Sequence, residues 1–139
     1  MNVLVDTSVW SLAFRRVSPQ DDAPVRELRR LIEELRAQMI GPVRQEILSG
    51  IRETARFDAL RQALRAFPDL RIVIEDYERA AEFFNVCRQK GIQGSNTDFL
   101  ICAVAVGHDL AIFTTDQDFQ RYQAQIPIQL HSVCDVGAV

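Results

Sequence analysis

The hydrophobic positions of this 139-residue chain fall into two kinds of segment: short β-branched runs and longer stretches with helical spacing. Short apolar runs bounded by turn residues are typical of buried strands, whereas apolar positions three and four residues apart are typical of helices. On this basis, strands are predicted at residues 3–5, 38–41, 71–74, 110–113 and 128–130. Helices are predicted at residues 7–14, 24–37, 43–50, 53–66, 77–90 and 96–107.

The order of these elements predicts an α/β fold with a mostly parallel central sheet of about five strands and helices on both faces. Residues 17–24 contain serine, proline and paired aspartates, a composition that predicts a loop between the first two helices. No linker, repeat or low-complexity tract interrupts the pattern. We therefore expect residues 1–139 to form a single domain around one core.

Acidic residues stand at the ends of several predicted elements. Asp6 ends the first strand, Asp116 follows the strand at 110–113, and Glu46 lies in the first turns of the helix after the second strand. Asp98 begins a helix that leads into the strand at 110–113, so this helix must run antiparallel to that strand. Ligands of parallel sheets bind beyond the carboxyl ends of the strands, and we expect all four acidic residues at that edge.

Each of these residues also has a purely structural interpretation. Asp6 and Asp116 are suited to cap the helices that follow them. Asp98 is suited to a capping box with Ser95, and Glu46 to an exposed helical position. The expected convergence of all four on one edge favours a shared function.

Clustered carboxylates raise one another's pKa unless a cation compensates their charge. Mg²⁺ and Mn²⁺ prefer oxygen ligands, so they are the expected cofactors. An ion of this kind lowers the pKa of a bound water and stabilises a leaving phosphate oxygen, which favours phosphodiester hydrolysis. His108 and His131 are the only histidines, too few for a histidine-rich zinc or copper site.

Charge and cysteine content limit the roles that the arginines and the cysteines can have. The net charge is −3, and of the 16 basic residues only Lys90 is a lysine, with many arginines between residues 26 and 71. These arginines suit bidentate phosphate contacts, or they form an exposed helical surface paired with neighbouring glutamates such as Glu27. Cys87, Cys102 and Cys134 show no zinc or redox spacing and are expected to be buried thiols.

The N-terminus has no basic region before its apolar run, and the longest apolar stretches are far shorter than the roughly 20 residues that a bilayer requires. Neither a signal peptide nor a membrane span is therefore expected. The cytoplasm is the expected location.

Four segments carry a resemblance to a known family. They are Val-Leu-Val-Asp6-Thr-Ser-Val-Trp, the helix with Glu46, Asn-Thr-Asp98-Phe-Leu-Ile-Cys-Ala and Thr-Thr-Asp116-Gln-Asp118-Phe. Together they resemble the PIN-domain ribonucleases and, more narrowly, the VapC-type toxins of bacterial toxin–antitoxin pairs. The similarity covers essentially the whole chain in order and spacing.

This resemblance implies a three-layer fold around a five-stranded parallel sheet, and a Mg²⁺- or Mn²⁺-dependent endoribonuclease that acts on RNA and inhibits translation and growth. It implies Asp6 and Asp98 as principal metal ligands, with Glu46 and Asp116 completing the acidic pocket. By the same analogy, Asp118 is a supporting acid and Ser8 positions water or phosphate. It also implies a homodimer and a cognate VapB-type antitoxin whose C-terminal segment blocks the acidic groove.

Two other functional classes remain open on the residues themselves. In an aspartyl-phosphate phosphatase or receiver domain, Asp6 would accept the phosphate. Haloacid-dehalogenase-like phosphatases carry a second aspartate where this chain has Ser8, and the sole lysine, Lys90, falls at a predicted helix end rather than after a strand. The second alternative is a non-catalytic or housekeeping PIN-like protein that binds or processes RNA.

Overall fold

A computed structural model describes residues 1–15 and 22–133. Residues 17–21 of the predicted loop and Cys134 therefore lie outside the described residues. The described strands are β1 (Val3–Val5), β2 (Ala37–Gln38), β3 (Ala111–Phe113) and β4 (Gln129–Leu130). The described helices are α1 (Thr7–Phe14), α2 (Ala23–Glu33), α3 (Gly41–Leu48), α4 (Thr54–Leu64), α5 (Ile74–Gln89), α6 (Asn96–Gly107) and α7 (Asp118–Gln123).

The four strands form one parallel sheet in the order β2-β1-β3-β4. In the register of the central strand, Val3 lies opposite Ala37 on one side and Leu4 lies opposite Ile112 on the other. Every residue of β1 and β3 is buried. Because successive strand side chains point to opposite faces, both faces of the sheet are covered. The predicted parallel α/β fold is confirmed.

The predicted strand at residues 71–74 is wrong. Only an isolated one-residue bridge extends the sheet beside β2, so the described residues form four strands rather than five. The carboxylate of Asp76 accepts the backbone N–H of Val73 at 3.0 Å, and this contact starts α5 at Ile74. The side chain of Ile74 is 72% exposed, so the β-branched run has no buried strand face.

Helix α7 is absent from the predicted elements. Phe119 and Tyr122 are fully buried, and their rings pack with centroids 5.1 Å apart. The ring of Tyr122 also packs on Phe99 of α6 at 4.8 Å. Six residues are too few for a helical repeat, and two apolar positions three residues apart were the only signal.

The core confirms the packing expected for the described thiols. Cys87 and Cys102 are buried, and burial raises the pKa of both thiols, which keeps them protonated and unreactive. Trp10 is also fully buried, and its indole N–H donates to the carbonyl of Val5 at 3.2 Å. Within the described ranges, no helix combines the length and the apolar character needed to span a bilayer.

Arg44 shows how the arginine-rich region is used. Its guanidinium donates to the carbonyl of Leu64 at 2.9 Å, to the carbonyl of Phe67, and to the carboxylate of Asp69 at 2.8 Å. These contacts tie α3 to the segment after α4. The side chain of Arg44 therefore serves the fold.

Other arginines pair with acidic neighbours, as the second interpretation predicted. Arg30 and Arg36 both contact Glu34, and Arg61 contacts the carboxylate of Asp58. Glu27 differs from the expectation of an exposed helical charge, because it is only 5% exposed and accepts hydrogen bonds from Arg30. The positive charge of Arg30 therefore compensates the negative charge of the buried Glu27 carboxylate.

Candidate active site

Asp6 lies where β1 passes into α1 and is only 5% exposed. Its backbone N–H donates to the carbonyl of Phe113 at 2.8 Å, which ties it to the end of β3. Its Oδ2 accepts hydrogen bonds from the hydroxyls of Ser8 and Thr114, both at 2.8 Å. Burial raises the pKa of Asp6, and the two hydroxyl contacts oppose that rise. The two hydroxyls thus offset part of the cost that burial imposes on the anionic form of Asp6.

Thr114 links Asp6 to the loop that follows β3. Its Oγ1 donates to Asp6 and accepts the backbone N–H of Asp116 at 2.9 Å. Ser8 reinforces the same link, because its Oγ donates to Asp6 and accepts the backbone N–H of Thr115 at 3.1 Å. In this structure Ser8 positions a carboxylate and a loop; its role towards water or phosphate stays a prediction.

Asp98 sits in the first turn of α6, where the backbone N–H of Asp98 donates to the Ser95 hydroxyl at 3.0 Å. Its Oδ2 accepts the phenol hydroxyl of Tyr122 at 2.7 Å. Burial raises the pKa of Asp98, the Tyr122 contact opposes this, and the negative charges of Asp6 and Asp116 add to it. The charges of Asp6 and Asp116 therefore disfavour the ionised form of Asp98.

Tyr122 keeps its proton in this arrangement. Burial raises the pKa of its phenol, and the neighbouring Asp98 raises it further. A phenol that stays protonated is a permanent donor to the Asp98 carboxylate. Tyr122 therefore fixes the orientation of Asp98.

Gly94 provides the space that the Tyr122 hydroxyl occupies. A Cβ on Gly94 would overlap that hydroxyl and lie 2.7 Å from Cζ of Tyr122 and 2.9 Å from the ring of Phe99. Real Cβ atoms essentially never approach other heavy atoms this closely. The glycine is needed here for space.

Gly94→Ala is therefore expected to lower the free energy of unfolding by about 1–3 kcal/mol, as overpacking does in well-packed cores. Urea unfolding followed by circular dichroism measures the change. Gly41→Ala is the matched control, because its Cβ would make an ordinary 3.6 Å contact with the Asp69 side chain. Equal stability of the two variants would contradict the proposed crowding at Gly94.

The remaining predicted site residues lie around this centre. Glu46 is exposed, and its Oε1 accepts the hydroxyl of Thr7 at 2.6 Å, next to Asp6 in the chain. The Oδ1 of Asp116 accepts the backbone N–H of Asp118 at 2.9 Å, although the N-cap residue of α7 is Gln117. The Asp118 carboxylate lies 3.9 Å from Arg121, and its supporting role stays a prediction.

The chemistry of these side chains fits a hard divalent cation, because every candidate ligand is a carboxylate oxygen. None of the ion pairs between described residues involves Asp6, Glu46, Asp98 or Asp116. Within residues 1–15 and 22–133, no three acidic, histidine or cysteine side chains already form a finished ligand set. A cation would have to draw the carboxylates together from the positions that the hydroxyl contacts give them.

Apart from Ser8, sequence reasoning did not identify the hydroxyl groups that contact the acids. Thr7, Thr114 and Tyr122 each donate to a predicted site carboxylate. The signal for Thr114 is its place directly after a strand and two residues before Asp116. Tyr122 had no comparable signal, because its helix was not predicted.

Comparison with known protein families shows that residues 3–125 match the PIN domain. The chain is 32% identical over 121 residues to the VapC ribonuclease Mb1587 of Mycobacterium bovis and to the ribonuclease VapC11 of Mycobacterium tuberculosis. Each alignment covers 84% of this chain and 88% of the relative.

Three solved structures share the fold. FitAcB from Neisseria gonorrhoeae superposes with a TM-score of 0.76 at 19% identity, covering 96% of this chain and 99% of that chain. VapBC-1 from nontypeable Haemophilus influenzae superposes with a TM-score of 0.71 at 13% identity, covering 95% of this chain and 98% of that chain. A toxin–antitoxin complex from Klebsiella pneumoniae superposes with a TM-score of 0.62 at 21% identity, covering 85% of this chain and 90% of that chain.

Proposed function

We propose that this chain, which belongs to the PIN-domain family and to its VapC-type members, is a divalent-metal-dependent endoribonuclease that acts as a toxin. The observation that supports the proposal is that Thr114 donates to the Asp6 carboxylate and accepts the backbone N–H of Asp116, beside Asp98, whose pKa is raised by burial and also by the charges of Asp6 and Asp116. Repulsion of this kind is the electrostatic condition that a bound cation relieves.

Mg²⁺ or Mn²⁺ would be held by Asp6 and Asp98, with Glu46 and Asp116 completing the acidic pocket. Once bound, such an ion lowers the pKa of a coordinated water and stabilises the leaving oxygen of a phosphodiester. Ser8 and Thr114 fix the Asp6 carboxylate through Oδ2. The protein's own contribution is thus to hold oxygen ligands in one orientation before the substrate arrives.

The aspartyl-phosphate alternative loses its support in the structure. Lys90 is the C-cap of α5 and does not follow a strand, so it does not supply the phosphate-neutralising lysine of that class.

The partners follow from the same proposal. Some structural relatives are VapBC assemblies, and we infer that this chain also acts with a cognate VapB-type antitoxin and forms a homodimer. The substrate class is RNA. The inhibition of translation and growth that we propose takes place in the cytoplasm.

The direct test is cleavage of structured RNA with Mg²⁺ or Mn²⁺ by the wild type and by Asp6→Asn. We expect wild-type cleavage that chelation abolishes and added metal restores, with no cleavage by the variant. Millimolar Mg²⁺ should also raise the melting temperature of the wild type by mass action. Equal cleavage by both proteins would identify a contaminating nuclease and contradict the proposal, and would leave the non-catalytic alternative.

A further inference from the structure

A polar groove begins at the candidate active site and runs between α7 and the end of β4. Its volume is about 690 Å³, within the range of ~300–1,000 Å³ typical of ligand sites. Thr114 and Asp116 line this groove and also belong to the carboxylate site. A molecule bound in the groove therefore lies beside the carboxylates.

Three glutamines line the groove: Gln117, Gln120 and Gln123. They are three residues apart on and just before α7, so they lie along one side of that helix. The Gln123 amide donates to the carbonyl of Ile128 at 3.4 Å. Gln117 and Gln120 are exposed, and their amides take part in none of the hydrogen bonds between described side chains. Two amide groups are thus available to a ligand.

The remaining lining combines hydroxyl groups, apolar surface and the imidazole of His131. Thr115 and Ser132 supply hydroxyls, and Ile112, Leu130 and Val133 supply apolar contacts. Among the described residues that line the groove there is no arginine or lysine, and Asp116 is the one carboxylate. Such a surface has no arginine or lysine for phosphate and suits a ligand with a flat apolar face and a polar edge.

An unpaired RNA base has these properties. Proteins recognise RNA sequence mainly on unpaired bases, through stacking and hydrogen bonds to the base edges. A glutamine amide offers a donor and an acceptor side by side, and the N6/N7 edge of adenine is a common partner of that pair. The phosphates next to such a base would extend towards the carboxylate site.

We propose that this glutamine groove binds an unpaired nucleotide adjacent to the phosphodiester that is cleaved, and that Gln117 and Gln120 contact the edge of its base. The inference rests on the proposed ribonuclease function and adds a specificity site to it. Adenine is the expected base. Exposure of both side chains makes their replacement safe for the fold.

The test compares the double variant Gln117→Ala/Gln120→Ala with Gln62→Ala, which replaces an exposed glutamine on α4. All proteins carry Asp98→Asn so that the RNA stays intact. The probes are short fluorescent oligoadenylate, oligouridylate and an abasic oligomer with the same ribose-phosphate backbone. Fluorescence anisotropy in Mg²⁺ measures each dissociation constant.

We expect the control to bind oligoadenylate tighter than the abasic oligomer, and the double variant to lose about tenfold or more on oligoadenylate. Affinity for the abasic oligomer should stay unchanged. Equal losses on both probes, or no loss on either, would overturn the inference. Loss of antitoxin binding with unchanged RNA binding would assign the groove to a polypeptide, which also overturns it.

Binding and cleavage separate this inference from the proposed function. Base-dependent binding without any metal-dependent cleavage would contradict the proposed function and leave the groove in place. Conversely, if the double variant with Asp98 intact cleaves RNA with wild-type rate and sequence preference, only the glutamine groove fails.

Discussion

Replacing Asp98 by asparagine is expected to reduce RNA cleavage about a thousandfold, a loss typical of removing a preorganised electrostatic contact from an active site. Asparagine keeps an oxygen that accepts the Tyr122 hydroxyl, so the local packing is preserved. It removes the charge that a divalent cation requires. Initial rates of cleavage at saturating Mg²⁺ measure the effect.

The same substitution is expected to stabilise the protein in the presence of chelator. Burial raises the pKa of Asp98 above its ordinary value of ~3.9, so the folded protein resists ionisation of this group more than the unfolded chain does. The contribution of Asp98 to folding stability is therefore highest below its ordinary pKa and is lost as pH rises through its raised pKa in the folded protein. Asparagine does not ionise, so the Asp98→Asn variant lacks this pH-dependent loss.

The control for both effects is Asp58→Asn, which replaces a half-exposed carboxylate on α4 that pairs only with Arg61 among described residues. It should leave cleavage and the metal-free melting temperature nearly unchanged. A lower metal-free melting temperature for Asp98→Asn than for the wild type would show that repulsion among the acids is not a cost to the fold.

Tyr122→Phe is expected to weaken Mg²⁺ binding by about 10–100-fold, the usual effect of losing a group that orients a metal ligand. The ring stays in its buried position between Phe99 and Phe119, and only the hydroxyl that fixes Asp98 is lost. Cleavage should fall at low Mg²⁺ and recover substantially as Mg²⁺ is raised. Isothermal titration calorimetry and cleavage at graded Mg²⁺ concentrations measure the two effects.

Tyr77→Phe removes the same atom from a tyrosine that is 56% exposed on α5, and serves as the matched control. A purely structural role of Tyr122 would lower the unfolding free energy without moving the Mg²⁺ dependence. If Tyr122→Phe and Tyr77→Phe show the same dependence of cleavage on Mg²⁺ concentration, the positioning role of Tyr122 is contradicted.

The central part of the sheet could be predicted from the sequence, because there the local apolar pattern agrees with the strand order of the fold. Residues 3–5 and 110–113 predicted strands because their apolar runs end at polar clusters, and both are central strands of the sheet. The parallel arrangement then predicted that Asp6 and Asp98 lie at one edge. The β-branched run at 71–74 misled the same reasoning, because the cap formed by Asp76 is decided by a side-chain hydrogen bond that apolar periodicity does not record.

The candidate acids and Ser8 could be named from the sequence, but the other hydroxyl groups that contact these acids could not. Thr114 donates to a carboxylate 108 residues earlier in the chain, and Tyr122 donates to one 24 residues earlier. Such contacts depend on the packing of α6 against α7 and on strand register, which a single sequence does not reveal. The space at Gly94 is likewise visible only once Tyr122 is in position.

The long separation between Asp6 and Thr114 has a consequence for synthesis on the ribosome. A nascent chain that has emerged only as far as α6 carries Asp6, Glu46 and Asp98 but lacks the threonine and the tyrosine that orient two of them. If the chain is the toxin that we propose, it stays harmless to the translating ribosome until Thr114 and Tyr122 have both been synthesised and have folded onto the acids.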